Sequence, residues 1–292
     1  MNPFKGTFTA MITPFRDGNL DFDALENLVE RQIEARVDGL VPCGTTGESS
    51  TLNAGEHDRI IERVVRIAKK RVPVIAGTGS NCTAETVQRS RHAAKCGADG
   101  LLIVAPYYNK PTQEGLFRHF SAIAEAVDVP IVIYNIPGRC GVEISIETIC
   151  RLCDRHENIA AVKHATGSVC GAADLMQACD VGVLSGDDPL TLPLMVVGAV
   201  GVISVLSNLA PKSVKRLTQA ALYDDYGEAR DAHRAIYPIA RALLSLEINP
   251  IPIKTAMAIR GYCAEEFRLP MCAMSAENRA KLEELLDGQP MD

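Results

Sequence analysis

The feature that most narrows the choice of fold is a repeated pattern, not a repeated sequence. Short apolar runs rich in β-branched residues alternate with amphipathic helical patterns eight times, at intervals of roughly 20 to 35 residues. The predicted strands are residues 7–13, 39–43, 73–77, 100–106, 130–135, 159–164, 181–185 and 201–206. Between them lie helical stretches such as DFDALENLVERQIEARV, AGEHDRIIERVVRIAKKR, TAETVQRSRHAAKCG and EGLFRHFSAIAEAV. Boundary signals agree: Thr83 with Thr86 near a helix start, Gly97 after a last turn, and Pro73 and Pro130 where a strand begins. Parallel strands joined by helices need right-handed crossovers, and eight such units close into a (β/α)8 TIM barrel.

A doubly wound sheet is the alternative, and its signatures are missing. The first turn is TPFRDGN where a dinucleotide fold expects GxGxxG, GTGSNC after the third run keeps only the first two glycines, and GxxxxGK[ST] is absent. After residue 222 the strand signal stops. DDYGEARDAHRAIYPIARALLSL, PIPIKTAMAIRG and SAENRAKLEELLD predict a C-terminal three-helix extension, so residues 1–222 read as the barrel domain and 223–292 as the extension.

Composition removes several function classes. With 47% hydrophobic residues, 23% charged and a net charge of −6 over 292 residues, nothing argues for nucleic acid or an anionic membrane. The longest apolar stretch, around residues 192–206, is interrupted by Gly198, Gly201 and Ser204, so no membrane span is expected. The N-terminus MNPFKGTFTAMITPF has no signal-peptide pattern, which predicts a cytoplasmic protein. Ten cysteines are dispersed through predicted helices and strands and read as reduced thiols. The one CxxC, Cys150 to Cys153, sits inside a helical pattern as two packing thiols. The six histidines form no HxxxH or HExxH pair, and no metal site is expected.

Chemistry enters at NIAAVKHATG, residues 158–167, where Lys163 arrives at the end of an apolar strand. Taking an ammonium out of water is expensive, so a buried lysine tends to lose its proton. At an ordinary pKa only about one lysine in two thousand is neutral at pH 7, and each unit of depression raises the nucleophilic fraction about tenfold. The stretch therefore offers a Schiff-base lysine, or a lysine snorkelling from a strand end.

Catalytic groups of such barrels come from the C-terminal ends of strands and the loops after them. GTTGES, residues 44–49, brings a sharp turn with Thr45 and Thr46, a nest suited to a carboxylate or a structural turn before a helix. APYYNKPTQEG carries Tyr107 and Tyr108, and YNIPGRCG carries Tyr134 and Arg139. Tyrosine can relay a proton to an imine or carbinolamine, and an arginine fork matches a carboxylate. The seventh run ends in SGDD with Gly186, and GVISV puts Ile203 on the barrel interior or its wall. All of these fall at one end of one predicted barrel.

GTTGES, PYYNKP, YNIPGR, VKxATG, LSGDD, GVISV, NPIPIK, RLPM and SAENRAKL occur in this order over essentially the whole chain. Together they resemble the dihydrodipicolinate synthases of the N-acetylneuraminate lyase superfamily. The resemblance implies that Lys163 forms a Schiff base with pyruvate and that Thr45 and Thr46 hold the pyruvate carboxylate. It implies that Tyr134 shuttles protons, linked through a threonine hydroxyl to Tyr108 of a neighbouring subunit, and that Arg139 binds the carboxylate of aspartate semialdehyde. Gly186 and Ile203 would line the site. The product would be 4-hydroxytetrahydrodipicolinate, on the route to lysine and diaminopimelate. No metal or organic cofactor is implied, and the expected assembly is a homotetramer built as a dimer of dimers. Ser49, Ser50, His57, Asn81, Glu85 and Tyr107 match the positions at which some members bind inhibitory lysine, with Ala54 where some of those members carry histidine. Two departures stand out: His164 where glutamate commonly follows the lysine, and Cys140 where threonine commonly follows the arginine. Strand alternation predicts that His164 faces the helices if Lys163 faces the interior. Two other readings stay open: a related pyruvate-dependent aldolase or dehydratase acting on keto-deoxy-sugar acids, and a non-catalytic barrel sensor. Arg139 favours a small carboxylated aldehyde over a polyol.

Overall fold

The computed structural model describes residues 3–288. Eight strands form one parallel sheet: β1 (Gly6–Ala10), β2 (Gly39–Val41), β3 (Ile75–Gly77), β4 (Gly100–Val104), β5 (Ile131–Asn135), β6 (Ile159–His164), β7 (Gly182–Ser185) and β8 (Gly201–Ser204). Hydrogen-bonded neighbours run β2-β1-β8-β7-β6-β5-β4-β3. The two edges meet at a parallel bridge between Leu40 and Val74, where the Leu40 N–H donates to the Pro73 carbonyl at 2.9 Å. The predicted (β/α)8 barrel is what forms.

Side-chain alternation sorts each strand into two layers. Phe8, Ala10, Val41, Ile75, Leu102, Val132, Tyr134, Ala161, Leu184 and Ile203 fill the barrel interior, with Phe4 among them. Leu40, Leu101, Ile103, Ile131, Ile133, Val162, Val183 and Val202 face outward into the helical ring. Phe4 and Phe8 meet edge to face at 5.8 Å, and this aromatic pair leaves no room on the facing strands. A Cβ on Gly100 would lie 2.6 Å from the Phe4 ring, and one on Gly39 2.4 Å from Phe8. One irregularity matters for chemistry. Between β5 and β6 the register steps from Ile131↔Ile159 to Val132↔Ala161, so Ala160 is an extra residue. Because a one-residue slip turns every later side chain to the other face, this bulge sets Lys163 on the interior opposite Tyr134.

The barrel helices are α1 (Phe22–Glu34), α2 (Ala54–Ala68), α3 (Thr83–Cys96), α4 (Gln113–Ala124), α5 (Ile146–Arg155), α6 (Val169–Ala178), α7 (Thr191–Val196) and α8 (Pro211–Leu222). Their starts follow from local chemistry: Asp21, Thr112, Ser145 and Ser168 accept backbone N–H bonds at the first turns, and Asn53 forms a reciprocal capping box with Glu56. α2 shows why such a segment is helical. His57, Ile60, Ile61, Val64, Ile67 and Ala68 are buried at three- and four-residue spacing. The helix starts at Thr83 as expected, but not through a threonine cap. Cys82 occupies the cap position without a side-chain bond, while Thr83 Oγ1 bonds His119 Nδ1 at 2.9 Å and Thr86 Oγ1 turns back to the Ser80 carbonyl.

Several predicted strands overran. Residues 7–13 pair only to Ala10, 39–43 only to Val41, 100–106 only to Val104 and 201–206 only to Ser204. The apolar run continues because Met11, Ile12, Cys43, Ala105, Val205 and Leu206 stay buried after their ladders end. Residues 73–74 precede the paired stretch of β3. A short ribbon of Phe15–Arg16 against Asn19–Leu20 also forms, turning at Asp17 and Gly18, both with positive φ.

The three C-terminal helices are α9 (Tyr226–Ser245), α10 (Ile251–Ile259) and α11 (Ala276–Asp287). Ala229, Ile239, Leu243, Ile253, Met257, Leu282 and Leu286 join the same buried cluster as the barrel helices. From Ile251 to Met257 every residue of α10 is buried. No helix among the described residues is long and apolar enough to cross a membrane.

Candidate active site

Lys163 is 5% exposed and its side chain lies within the barrel mouth. Its Nζ sits 4.2 Å from the centroid of the Tyr134 ring, the neighbour that the register places beside it. Burial pushes the amine down to about 7; Asp188 works against that shift and Arg139 adds to it. Asp188 is itself fixed, accepting from Ser204 Oγ at 2.5 Å and from the Val205 and Leu206 N–H groups at 2.9 and 3.0 Å. Gly186 makes space for the lysine stem. A Cβ there would fall 2.7 Å from Ala165 Cβ and 3.1 Å from Lys163 Cε. Burial also pushes the Tyr134 phenol up to about 12, against Arg139 and a hydrogen bond with the Thr45 side chain. Tyr134 therefore keeps its proton at neutral pH and has one to lend.

The nest after β2 is built by turns and anchored from outside the barrel. The Gly47 and Ser49 N–H groups donate to the Gly44 carbonyl, Glu48 N–H donates to Thr45, and Thr13 Oγ1 donates to the Gly47 carbonyl at 2.7 Å. Among the described residues, the Thr45 and Thr46 amides donate to no protein acceptor. Glu48, in the left-handed region at φ 53, carries the anchor. Its carboxylate meets Lys254 Nζ at 2.6 Å with side-chain exposures of 1% and 0%, and Lys254 lies 4.1 Å above the Phe15 ring. Glu48 Oε2 also accepts from the Arg268 N–H at 3.3 Å, and the Arg268 guanidinium grips Glu56 in α2 with two 2.6 Å bonds.

Arg139 sits on a helical turn, Pro137–Cys140, and Cys140 Sγ donates to the Ala105 carbonyl at 3.2 Å. Cys140 thus keeps a hydrogen-bond donor where threonine is common in the family resembled. Asn249 ties the Thr46 and Arg139 elements together. Its Nδ2 donates to Thr46 Oγ1 at 3.2 Å, and its carbonyl accepts Arg139 Nη2 at 2.9 Å. A cavity of about 430 Å³ opens from this point, lined by Thr45, Val104, Ile136, Arg139 and Cys140, and also by Ser49, Ser50, Glu85 and Tyr107.

The predicted residues therefore divide. Lys163 and Tyr134 share one register, Thr45 bonds Tyr134, and Arg139 acts on both titratable groups; Gly186 packs on the lysine and Ile203 is buried on the interior. Tyr108 is not brought in by its own chain: it is 89% exposed at φ 72. Ser49, Ser50, Glu85 and Tyr107 line one cavity, but His57 does not. Its buried ring points at the Gly77 carbonyl, 2.8 Å from Nε2, and Glu85 is held by Ser80 and Arg89 at 2.6 Å each. The Asn81 carbonyl accepts from Asn109 Nδ2 at 2.9 Å. His164 faces outward as alternation requires, its Nε2 within 2.9 Å of the Ser168 carbonyl and 2.8 Å of Thr166 Oγ1. Sequence reasoning missed Asp188, Asn249 and the Glu48–Lys254 pair as site-builders. SGDD, GTTGES and NPIPIK contained them, but their partners are distant in sequence.

Residues 3–289 match the model of the dihydrodipicolinate synthetase family. The chain belongs to that family. A curated relative from Pelobacter propionicus, 4-hydroxy-tetrahydrodipicolinate synthase, is 52% identical over 281 residues, covering 96% of each chain. The crystal structure of dihydrodipicolinate synthase from Aquifex aeolicus superposes with TM-score 0.97 at 47% identity, covering 99% of this chain and 100% of that one. The enzyme of Cyanidioschyzon merolae, solved with lysine bound, gives TM-score 0.93 at 37% identity and 97% coverage of both. Within the dihydrodipicolinate synthetase family, then, this chain carries the barrel, the C-terminal helices and a buried, proton-poor lysine at the mouth.

Proposed function

We propose that this member of the dihydrodipicolinate synthetase family is a 4-hydroxy-tetrahydrodipicolinate synthase that condenses pyruvate with aspartate semialdehyde through Lys163. The observation carrying this reading is a lysine 5% exposed, pushed down to about 7 and seated over Tyr134. The neutral amine attacks the pyruvate ketone, and the carbinolamine loses water to give an iminium. The iminium draws electrons from the methyl carbon, which gives up a proton to form the enamine. Tyr134, with Thr45 on its hydroxyl, carries protons in these steps, and Tyr108 of a second subunit completes the relay. The Thr45 and Thr46 amides and hydroxyls hold the pyruvate carboxylate, while Gly186 and Ile203 wall the site. The enamine carbon then attacks the aldehyde, and Arg139, held by the Asn249 carbonyl, binds the carboxylate of that substrate. Attack of the substrate amine on the imine carbon closes the ring and releases Lys163. The chemistry uses the lysine in place of an added cofactor, and the active assembly is an oligomer, a tetramer on the family pattern.

The cavity wall formed by Ser49, Ser50, Glu85 and Tyr107 is the place at which free lysine would act on this chain. His57 would contribute only after its ring leaves the Gly77 carbonyl. Turnover of pyruvate with aspartate semialdehyde, measured beside a panel of sugar aldehydes, tests the substrate assignment. Activity confined to aspartate semialdehyde is expected; preference for a polyol aldehyde would overturn it.

A further inference from the structure

The outer wall between α2 and α3 carries a set of donor atoms that the barrel mouth does not use. Asp58 and Glu62 stand one turn apart on α2, and His92 and Cys96 one turn apart on α3, so each pair shares a helix face. His92 Nε2 lies 3.2 Å from Glu62 Oε1, 3.3 Å from Cys96 Sγ and 3.9 Å from Asp58 Oδ1. The donor atoms of Glu62, His92 and Cys96 all lie within 4.8 Å of one another. Around a tetrahedral cation bound at about 2.0–2.3 Å, neighbouring donors stand about 3.3–3.8 Å apart. We propose that Glu62, His92 and Cys96 form a three-residue binding site for a thiophilic divalent cation of the Zn2+ type, clamping α2 to α3, with a water completing the shell.

The donor chemistry selects the class. A thiolate and an imidazole favour Zn2+ or Co2+ over Mg2+ or Ca2+, which prefer all-oxygen shells. The surroundings are suitably negative. Two carboxylates, Glu62 and Asp58, stand 3.2 and 3.9 Å from His92 Nε2. Arginines on the same two helices turn elsewhere: Arg59 and Arg63 stack on Phe22 of α1, and Arg89 pairs with Glu85. On binding, the Cys96 S–H bond breaks, its proton goes to solvent and a metal–sulfur bond forms, with no change of oxidation state. No catalytic step is assigned to the ion.

Co2+ titration of the reduced, metal-free full chain tests the site. One equivalent is expected to give a thiolate-to-cobalt charge-transfer band and the visible bands of tetrahedral Co2+, both displaced by Zn2+. Cys96→Ser should abolish the charge-transfer band, and Glu62→Gln and His92→Gln should each weaken Co2+ binding about tenfold or more. Cys272→Ser, which alters an exposed thiol elsewhere, should change nothing. Circular dichroism checks that each variant is folded, and Zn2+ should raise the melting temperature of the parent chain but not of Cys96→Ser. Absence of the bands, their survival in Cys96→Ser, or an equal loss in Cys272→Ser would overturn the proposal.

Discussion

On the proposed mechanism, Lys163 is reactive because of where it is held. With its pKa near 7, about half of the amine is neutral at pH 7, against about one part in two thousand for an exposed lysine. Pyruvate capture should therefore accelerate as pH rises to about 7 and level off above it, as stopped-flow measurement of imine formation would show. The same burial acts on stability. The folded pKa lies below the unfolded value of 10.5, so the folded state binds fewer protons between them. The penalty is full below about pH 7, shrinks as pH rises, and is gone above the unfolded pKa. Lys163→Met should abolish turnover yet raise the unfolding free energy near neutral pH by about a few kcal/mol, on the order expected from the shift, with the gain fading toward pH 10. A variant less stable than the parent at pH 7 would contradict this. Tyr134→Phe removes the proton and keeps the ring, so kcat should fall about 10²–10⁴-fold with little change in fold by circular dichroism. The lysine was legible as a basic residue at the end of an apolar strand. Asp188, which faces it electrostatically, was not, because its partners Ser204, Val205 and Leu206 are on another strand end.

At the scale of elements, the strands were readable from periodicity, but their ends were not. Apolar burial at Met11, Ile12, Cys43 and Ala105 outlasts backbone pairing, and periodicity reports burial alone. The Ala160 bulge likewise left no trace in composition, although it fixes which face Lys163 occupies. The turn carrying Thr45 and Thr46 was visible as GTTGES; its anchor was not. Glu48 reaches Lys254 across 206 positions of sequence, and α10 was read only as a helix. Lys254→Met leaves the Glu48 carboxylate buried without its cation and should destabilise the chain by about 3–5 kcal/mol in urea unfolding. Because Thr45 and Thr46 precede Glu48, the KM for pyruvate should rise. The double variant Glu48→Gln with Lys254→Met removes both charges and should recover most of the lost stability. If the single and double variants were equally destabilised, the buried pair would not be the anchor.

For the whole molecule, the barrel and its C-terminal helices followed from the order of patterns, whereas the completeness of the site did not. Tyr108 stands 89% exposed in the left-handed region, and on the proposed mechanism it completes the site of a second subunit. Mixing subunits tests this. Tyr108→Phe and Lys163→Ala chains, each nearly inactive alone, should regain activity when co-assembled, since the hybrid holds one site with an intact lysine and an intact tyrosine. No recovery in hybrids verified by mass would place Tyr108 outside the relay. The most direct test of the central claim is covalent capture. Borohydride added in the presence of pyruvate, followed by peptide mass spectrometry, should place the reduced pyruvyl adduct on Lys163 and nowhere else, and an adduct on another lysine, or none on the active enzyme, would contradict the account.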